Sequence, residues 1–127
     1  MKKEILELND IKHIVDSFYD KVRLDSKLGP IFIEKIGDRW PEHLDKMYRF
    51  WQTILLNEHT YSGSPFMHHA KLPIDKEHFD QWLHLFFETI DETYIGAAAE
   101  EAKLRAGKMA EMFQYKLEYL KNNGGKA

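Results

Sequence analysis

A chain of 127 residues that is 43% hydrophobic and 31% charged has the composition of a soluble globular domain, and it can bury about two thirds of its unfolded surface around one core. Its net charge of −3, with the Lys and Arg scattered along the chain, excludes the basic field that draws a protein to nucleic acid or anionic lipid. Zero cysteines exclude disulfides, thiolate zinc sites, iron–sulfur clusters, a cysteine nucleophile and covalent CxxCH attachment of a cofactor.

The first ten residues, MKKEILELND, carry acids where a signal peptide needs an apolar run, and no segment approaches the ~18–20 apolar residues of a membrane span. The expectation is a cytoplasmic protein with no membrane or nucleic-acid partner. Asn9 and Asp10 are good caps for a first helix, whose stripe is Ile11, Ile14, Val15, Phe18 and Val22. Leu28-Gly29-Pro30 ends it, because proline has no amide hydrogen to continue the ladder. Residues 31–36 read as a short irregular segment closed by Gly37.

Asp38 is placed to cap a second long helix, with Pro41 tolerated in its first turn. Its apolar stripe, Trp40, Leu44, Met47, Phe50/Trp51 and Ile54/Leu55, is interrupted by His43. Residues 57–73 are broken up, with room for one or two turns between Pro65 and Leu72. Asp75 can cap a third helix bearing Phe79, Trp82/Leu83, Phe86/Phe87 and Ile90. A fourth, about Ile95 to Leu120, carries Ala98, Ala102, Ala106, Met109, Phe113 and Leu117 before the Asn122-Asn123-Gly124-Gly125 stop. No strand-like alternation appears. The prediction is a single all-α domain over 1–127, with about 1–8 and 122–127 frayed.

Seven histidines without a cysteine are the chemical peculiarity. His13 and His59 sit among polar neighbours and read as solvated; His84 reads as a helix-margin group. His43 differs, because a side chain on an apolar stripe points into the core or a cavity and a buried imidazole needs a partner. His68 and His69 are adjacent, and on a helix they point about 100° apart, so at most one faces inward. Tyr19 and Trp82 bring polar-tipped rings onto apolar stripes. His84-x-x-x-Glu88 has the ligand spacing of di-iron bundles, which also need ligands from other helices. No GxGxxG, Walker loop, GxSxG or HExxH occurs. A non-haem metal bundle and a cofactor-free helical interaction protein both stay open on these residues alone.

One combination of motifs is specific. Phe18-Tyr19-Asp20-Lys21-Val22 and Leu28-Gly29-Pro30-Ile31-Phe32 are followed by Trp40-Pro41-Glu42-His43 and Phe50-Trp51. Tyr61-Ser62-Gly63-Ser64-Pro65 then leads to His69 and Leu72-Pro73, and His78-Phe79-x-x-Trp82-Leu83 closes the series. Over about residues 8–121 the chain resembles the truncated haemoglobins, and the absence of the loop glycine pairs of groups I and II favours group III. The resemblance implies a two-over-two helical sandwich around a non-covalent haem b. His69 would be the proximal iron ligand, with His43, Tyr19 and Trp82 as the distal residues that act on the bound gas. Met47 stands where relatives carry an aliphatic residue, and His68 beside His69 is a second departure.

The resemblance gives the aromatic surplus a purpose, with Phe32, Phe50, Phe79 and Phe86 walling a flat macrocycle alongside Met47 and Leu72. Lys46, Arg49 and Tyr61 become candidates for its propionates, which need cations or donors. Neutral imidazole is a good ligand for haem iron and leaves an axial position for a diatomic gas. O2, CO and NO are the implied ligands. Three hydrogen-bond donors around a polar ligand slow its release, which suits reaction on the ligand better than oxygen transport. NO dioxygenase or peroxidase-like chemistry is the form enzymatic activity would take, and with no flavin or nicotinamide motif in the chain an external reductant is implied.

Overall fold

The computed structural model describes residues 2–58 and 76–122, with side chains as far as residue 119. Its first helix, α1 (Leu8–Leu24), buries the predicted stripe together with Tyr19. It opens one residue before Asn9, the earlier of the two expected caps. Glu7 takes the cap position, and Asp10, inside the first turn, accepts the N–H groups of Leu6 and Glu7 on Oδ2 at 3.0 and 3.1 Å. A carboxylate suits this end because the first amides lack helical partners and the dipole is positive there.

Residues 29–36 are not irregular. They form α2 (Gly29–Ile36), with Pro30 in its first turn and Phe32 and Ile36 on its buried face. Eight residues are too few for periodicity to register; α1 has already ended at Leu24, with Asp25 extended at its cap, and Pro30 serves only to start α2. The turn between them is stapled by Asp25, whose Oδ2 accepts the N–H of Lys27 (3.0 Å) and of Leu28 (2.8 Å). Gly29 is required by close approach, since a Cβ there would lie 2.6 Å from the Arg23 carbonyl oxygen.

Helix α3 (Trp40–Leu55) has Pro41 in its opening turn as expected, but Arg39, not Asp38, is the cap residue. The Arg39 guanidinium turns back to donate to the Lys35 carbonyl at 2.8 Å, completing the end of α2 instead. Asp75, the expected cap of the next helix, lies outside the described residues. That helix, α4 (Lys76–Thr93), buries Phe79, Leu85, Phe86, Thr89 and Ile90. The last, α5 (Ala97–Asn122), starts two residues after Ile95, which is exposed while Tyr94 is buried. Gly96, at φ 103°, makes the reversal. Ala99, Ala102, Ala106 and Ala110 form the buried face of α5, and such small side chains let two helix backbones approach closely.

Helix α1 packs on α3 and α4 packs on α5; α1 against α4 and α3 against α5 join the two layers. This is the two-over-two sandwich, all-α among the described residues apart from one isolated bridge between Lys3 and Tyr94. That bridge ties down the segment expected to fray. The Lys3 N–H donates to the Thr93 carbonyl and the Ile95 N–H to the Lys3 carbonyl, both at 2.9 Å, and Ile5 enters the core.

Asp10 anchors the same corner. Its Oδ1 lies 2.9 Å from the Lys3 ammonium and accepts the buried Tyr94 hydroxyl at 3.3 Å. Burial works to raise the Asp10 pKa, but the Leu6 amide, the Lys3 ammonium and the Glu7 amide outweigh it and hold the carboxyl below 3.8. Burial, then the Asp10 charge, push the Tyr94 hydroxyl up to about 12. A carboxyl whose folded pKa is depressed contributes stability above its unfolded value that is lost as pH falls. Asp10→Ala is expected to cost about 2 kcal/mol near neutral pH by stranding two amides. In urea titrations the gap to the parent narrows below about pH 4; a gap unchanged in acid would show that the charge contributes nothing.

Candidate functional site

The two layers leave an apolar hollow between them. It is lined from α1 by Val15, Phe18 and Tyr19, from α3 by Met47, Phe50 and Trp51, from α4 by Trp82 and Phe86, and from α5 by Met109 and Phe113. Its empty space is about 420 Å³, counting the part open to solvent. A second hollow of about 350 Å³ is lined by Leu28, Phe32, His78, Phe79 and Ala110, and shares Trp82 and Phe113 with the first. Trp82 and Phe113 are therefore the wall between the two.

Aromatic packing holds the walls. The Trp82 ring lies parallel to Phe86 (centroids 5.8 Å apart, 5°), and Phe86 stacks in turn on Trp51 (5.1 Å, 19°). Phe18 meets both Trp82 and Phe86 edge-on at 5.5 and 5.4 Å. Edge-to-face and offset contacts of this kind are the preferred geometries of ring quadrupoles. They place Trp82 on a rigid surface rather than on a loop.

The polar groups sit at the α1–α3 margin. Tyr19 is buried, and its Oη lies 3.0 Å from Nε2 of the half-buried His43. Burial pushes the Tyr19 hydroxyl well above the ordinary tyrosine value, so it keeps its proton across the whole physiological range and remains a donor. A hydroxyl has one hydrogen to give. It can donate to a neutral Nε2, or accept from an Nε2–H and aim its own hydrogen elsewhere, so the imidazole tautomer decides where Tyr19 points.

Of the other sequence-derived candidates, Met47, Phe50, Phe79, Phe86 and Phe32 are all buried on these walls. Lys46 and Arg49 are exposed on α3, and Arg49 pairs with Asp45 at 3.0 Å. His68, His69, Tyr61 and Leu72 lie outside the described residues. His13 is exposed, as expected; His84 is exposed and stands 3.7 Å from Glu88. Among the described residues no group of three His, Asp or Glu side chains could hold a metal ion. Phe113 and Met109 line the hollow without having been expected there. Both were legible on the apolar stripe of the last helix, but nothing local says which part of a long stripe faces a cavity.

Residues 6–116 match the family described as Bacterial-like globin. The chain is 38% identical over 118 residues to the group 3 truncated hemoglobin ctb of Campylobacter jejuni, covering 90% of this chain and 93% of that one. It belongs to the group III truncated haemoglobins. The crystal structure of the group III truncated hemoglobin from Campylobacter jejuni superposes with a TM-score of 0.82 at 38% identity, over 92% of this chain and 95% of that one.

Globins of this family hold haem and bind small diatomic gases, and the residues present fit such a group. The hollows are walled almost wholly by aromatic and aliphatic side chains, suited to a flat macrocycle, and the Tyr19–His43 pair reaches the first of them through Tyr19. Among the described residues no helix is long and apolar enough to cross a membrane.

Proposed function

We propose that this globin binds haem b non-covalently through His69 and takes up O2, and likewise CO or NO, beside Tyr19, His43 and Trp82. When bound, the haem supplies an iron that can accept a diatomic gas and change oxidation state. Phe32, Phe50, Phe79, Phe86, Met47 and Leu72 exclude water from the macrocycle. Lys46, Arg49 and Tyr61 offer the cations and donor that its propionates need.

The observation that carries the reading is the 3.0 Å Tyr19–His43 pair at the edge of an apolar hollow. With hydrogen on Nε2, His43 donates to Tyr19 and frees the tyrosine hydrogen for a polar ligand. A preorganised donor in a dry site is worth more than the same donor in water. Trp82 supplies a second N–H from the opposite layer. Two such bonds at ~0.5–1.5 kcal/mol each slow ligand loss about ten-fold or more. A ligand held this firmly suits NO or peroxide detoxification, with electrons from an external reductant, better than oxygen delivery. A chain without cysteine fits the reducing cytoplasm.

Spectra of the purified full-length chain in ferric, ferrous and CO-treated forms test the reading. A porphyrin Soret band that shifts on adding CO is expected. A colourless helical protein whose unfolding temperature haem does not raise would refute it, because a ligand of the native state must stabilise that state.

A further inference from the structure

Trp40 and Arg23 play no part in the ligand reading, yet both are built into the Tyr19–His43 pair. Tyr19 and Arg23 stand one turn apart on α1, and Trp40 and His43 share the opening turn of α3. The four side chains interleave where the helices meet. The Trp40 ring is 5.7 Å from Tyr19 at 68° and 6.0 Å from His43 at 85°, while the Tyr19 and His43 rings are 5.0 Å apart at 85°. Each of the three rings thus meets the other two edge-to-face.

Trp40 is only half-buried, so packing alone does not immobilise it. The Arg23 guanidinium lies over its ring, 4.4 Å from the centre, a distance at which the ring quadrupole attracts a cation. Arg23 is itself held, since Nη2–H donates to Asp20 Oδ1 at 3.0 Å and Nε–H reaches the Tyr19 carbonyl at 3.4 Å. The chain of contacts runs from Asp20 through Arg23 and Trp40 to His43. His43 meets the Tyr19 hydroxyl directly, and Trp40 bears on that pair through edge-to-face ring packing.

We infer that Trp40, clamped by Arg23, is a positioning residue that keeps the His43 imidazole on the Tyr19 hydroxyl, and that the strength of this clamp sets how readily the hollow admits a gas. The inference rests on the ligand-site reading above. Loosening the clamp lets the imidazole leave Tyr19 more often and opens the α1–α3 margin, without altering any group that would touch the ligand.

The test uses Arg23→Gln, which removes the cation but keeps a polar side chain at a partly exposed position, and Arg23→Lys, which restores a cation. In full-length protein loaded with zinc protoporphyrin, diamagnetic and free of gas, nuclear Overhauser contacts between the His43 and Tyr19 rings report the pairing directly. In the haem-loaded protein, flash photolysis gives the CO association rate. Arg23→Gln is expected to weaken the ring contacts and to raise the association rate roughly two- to five-fold, the factor a partly exposed cation–π contact is worth. Arg23→Lys should move both readouts back toward the parent.

Unchanged ring contacts in Arg23→Gln overturn the clamp. So does an Arg23→Lys variant as altered as Arg23→Gln, because the hydrogen bonds to Asp20 and the Tyr19 carbonyl would then be what holds the site. His43→Ala separates the two layers of the argument. If it leaves the CO association rate unchanged while Arg23→Gln still breaks the ring contacts, the positioning role stands and the ligand-site reading fails.

Discussion

Replacing His69 with alanine is expected to strip the purified chain of its haem, whereas His68→Ala keeps it. A non-covalent haem is retained by one axial bond and by apolar contact. Without the axial bond, transfer to an apo-protein acceptor should accelerate at least about a hundred-fold, equivalent to ~2.7 kcal/mol. On the proposed reading the pair discriminates sharply, because in a helical segment consecutive side chains would diverge by about 100° and could not both reach one iron. Loss of haem from His68→Ala with retention in His69→Ala would reverse the assignment. Loss from both would point to collapse of the proline-bracketed segment, which a circular dichroism spectrum separates from ligand loss.

The second large effect is on ligand release. Tyr19→Phe should speed O2 dissociation about ten-fold and leave CO dissociation within about two-fold, since CO is the poorer hydrogen-bond acceptor. Phenylalanine preserves the ring that packs on Phe18, Phe32 and Trp40, so the readout isolates the hydroxyl. Trp82→Phe should act in the same direction while keeping the stack on Phe86. Because burial holds the Tyr19 proton well above the ordinary tyrosine range, the parent should show no alkaline limb in O2 release from this group up to about pH 10. Equal O2 dissociation rates in the parent and both variants would show that neither donor touches the gas.

Much of the lining of the candidate site was legible residue by residue. Tyr19, Met47, Phe50 and Phe86 each lie on a stripe whose period places them inward, and the stripes belong to three helices, α1, α3 and α4. The family motifs joined Tyr19, His43 and Trp82 into one proposal that periodicity alone left open. The misses share a cause. Helix α2 is shorter than the window in which a 3.6-residue period can be counted. The cap at Arg39 and the role of Asp10 depend on where a side chain finds partners across a turn, for which residue type is only a weak guide.

From its sequence alone this protein was determined to be helical, to carry amphipathic stripes at these positions, and to place an imidazole on one of them. Those properties follow from local spacing and from backbone rules that act within a few residues. Only the tertiary structure decided that the Lys3 segment closes against the end of α4, that Phe113 shares a wall with Trp82, and that Arg23 covers Trp40 beside His43. Each of these is a meeting of segments distant along the chain, settled by how two helix faces interdigitate, and that packing is a property of the assembled layers rather than of any one helix.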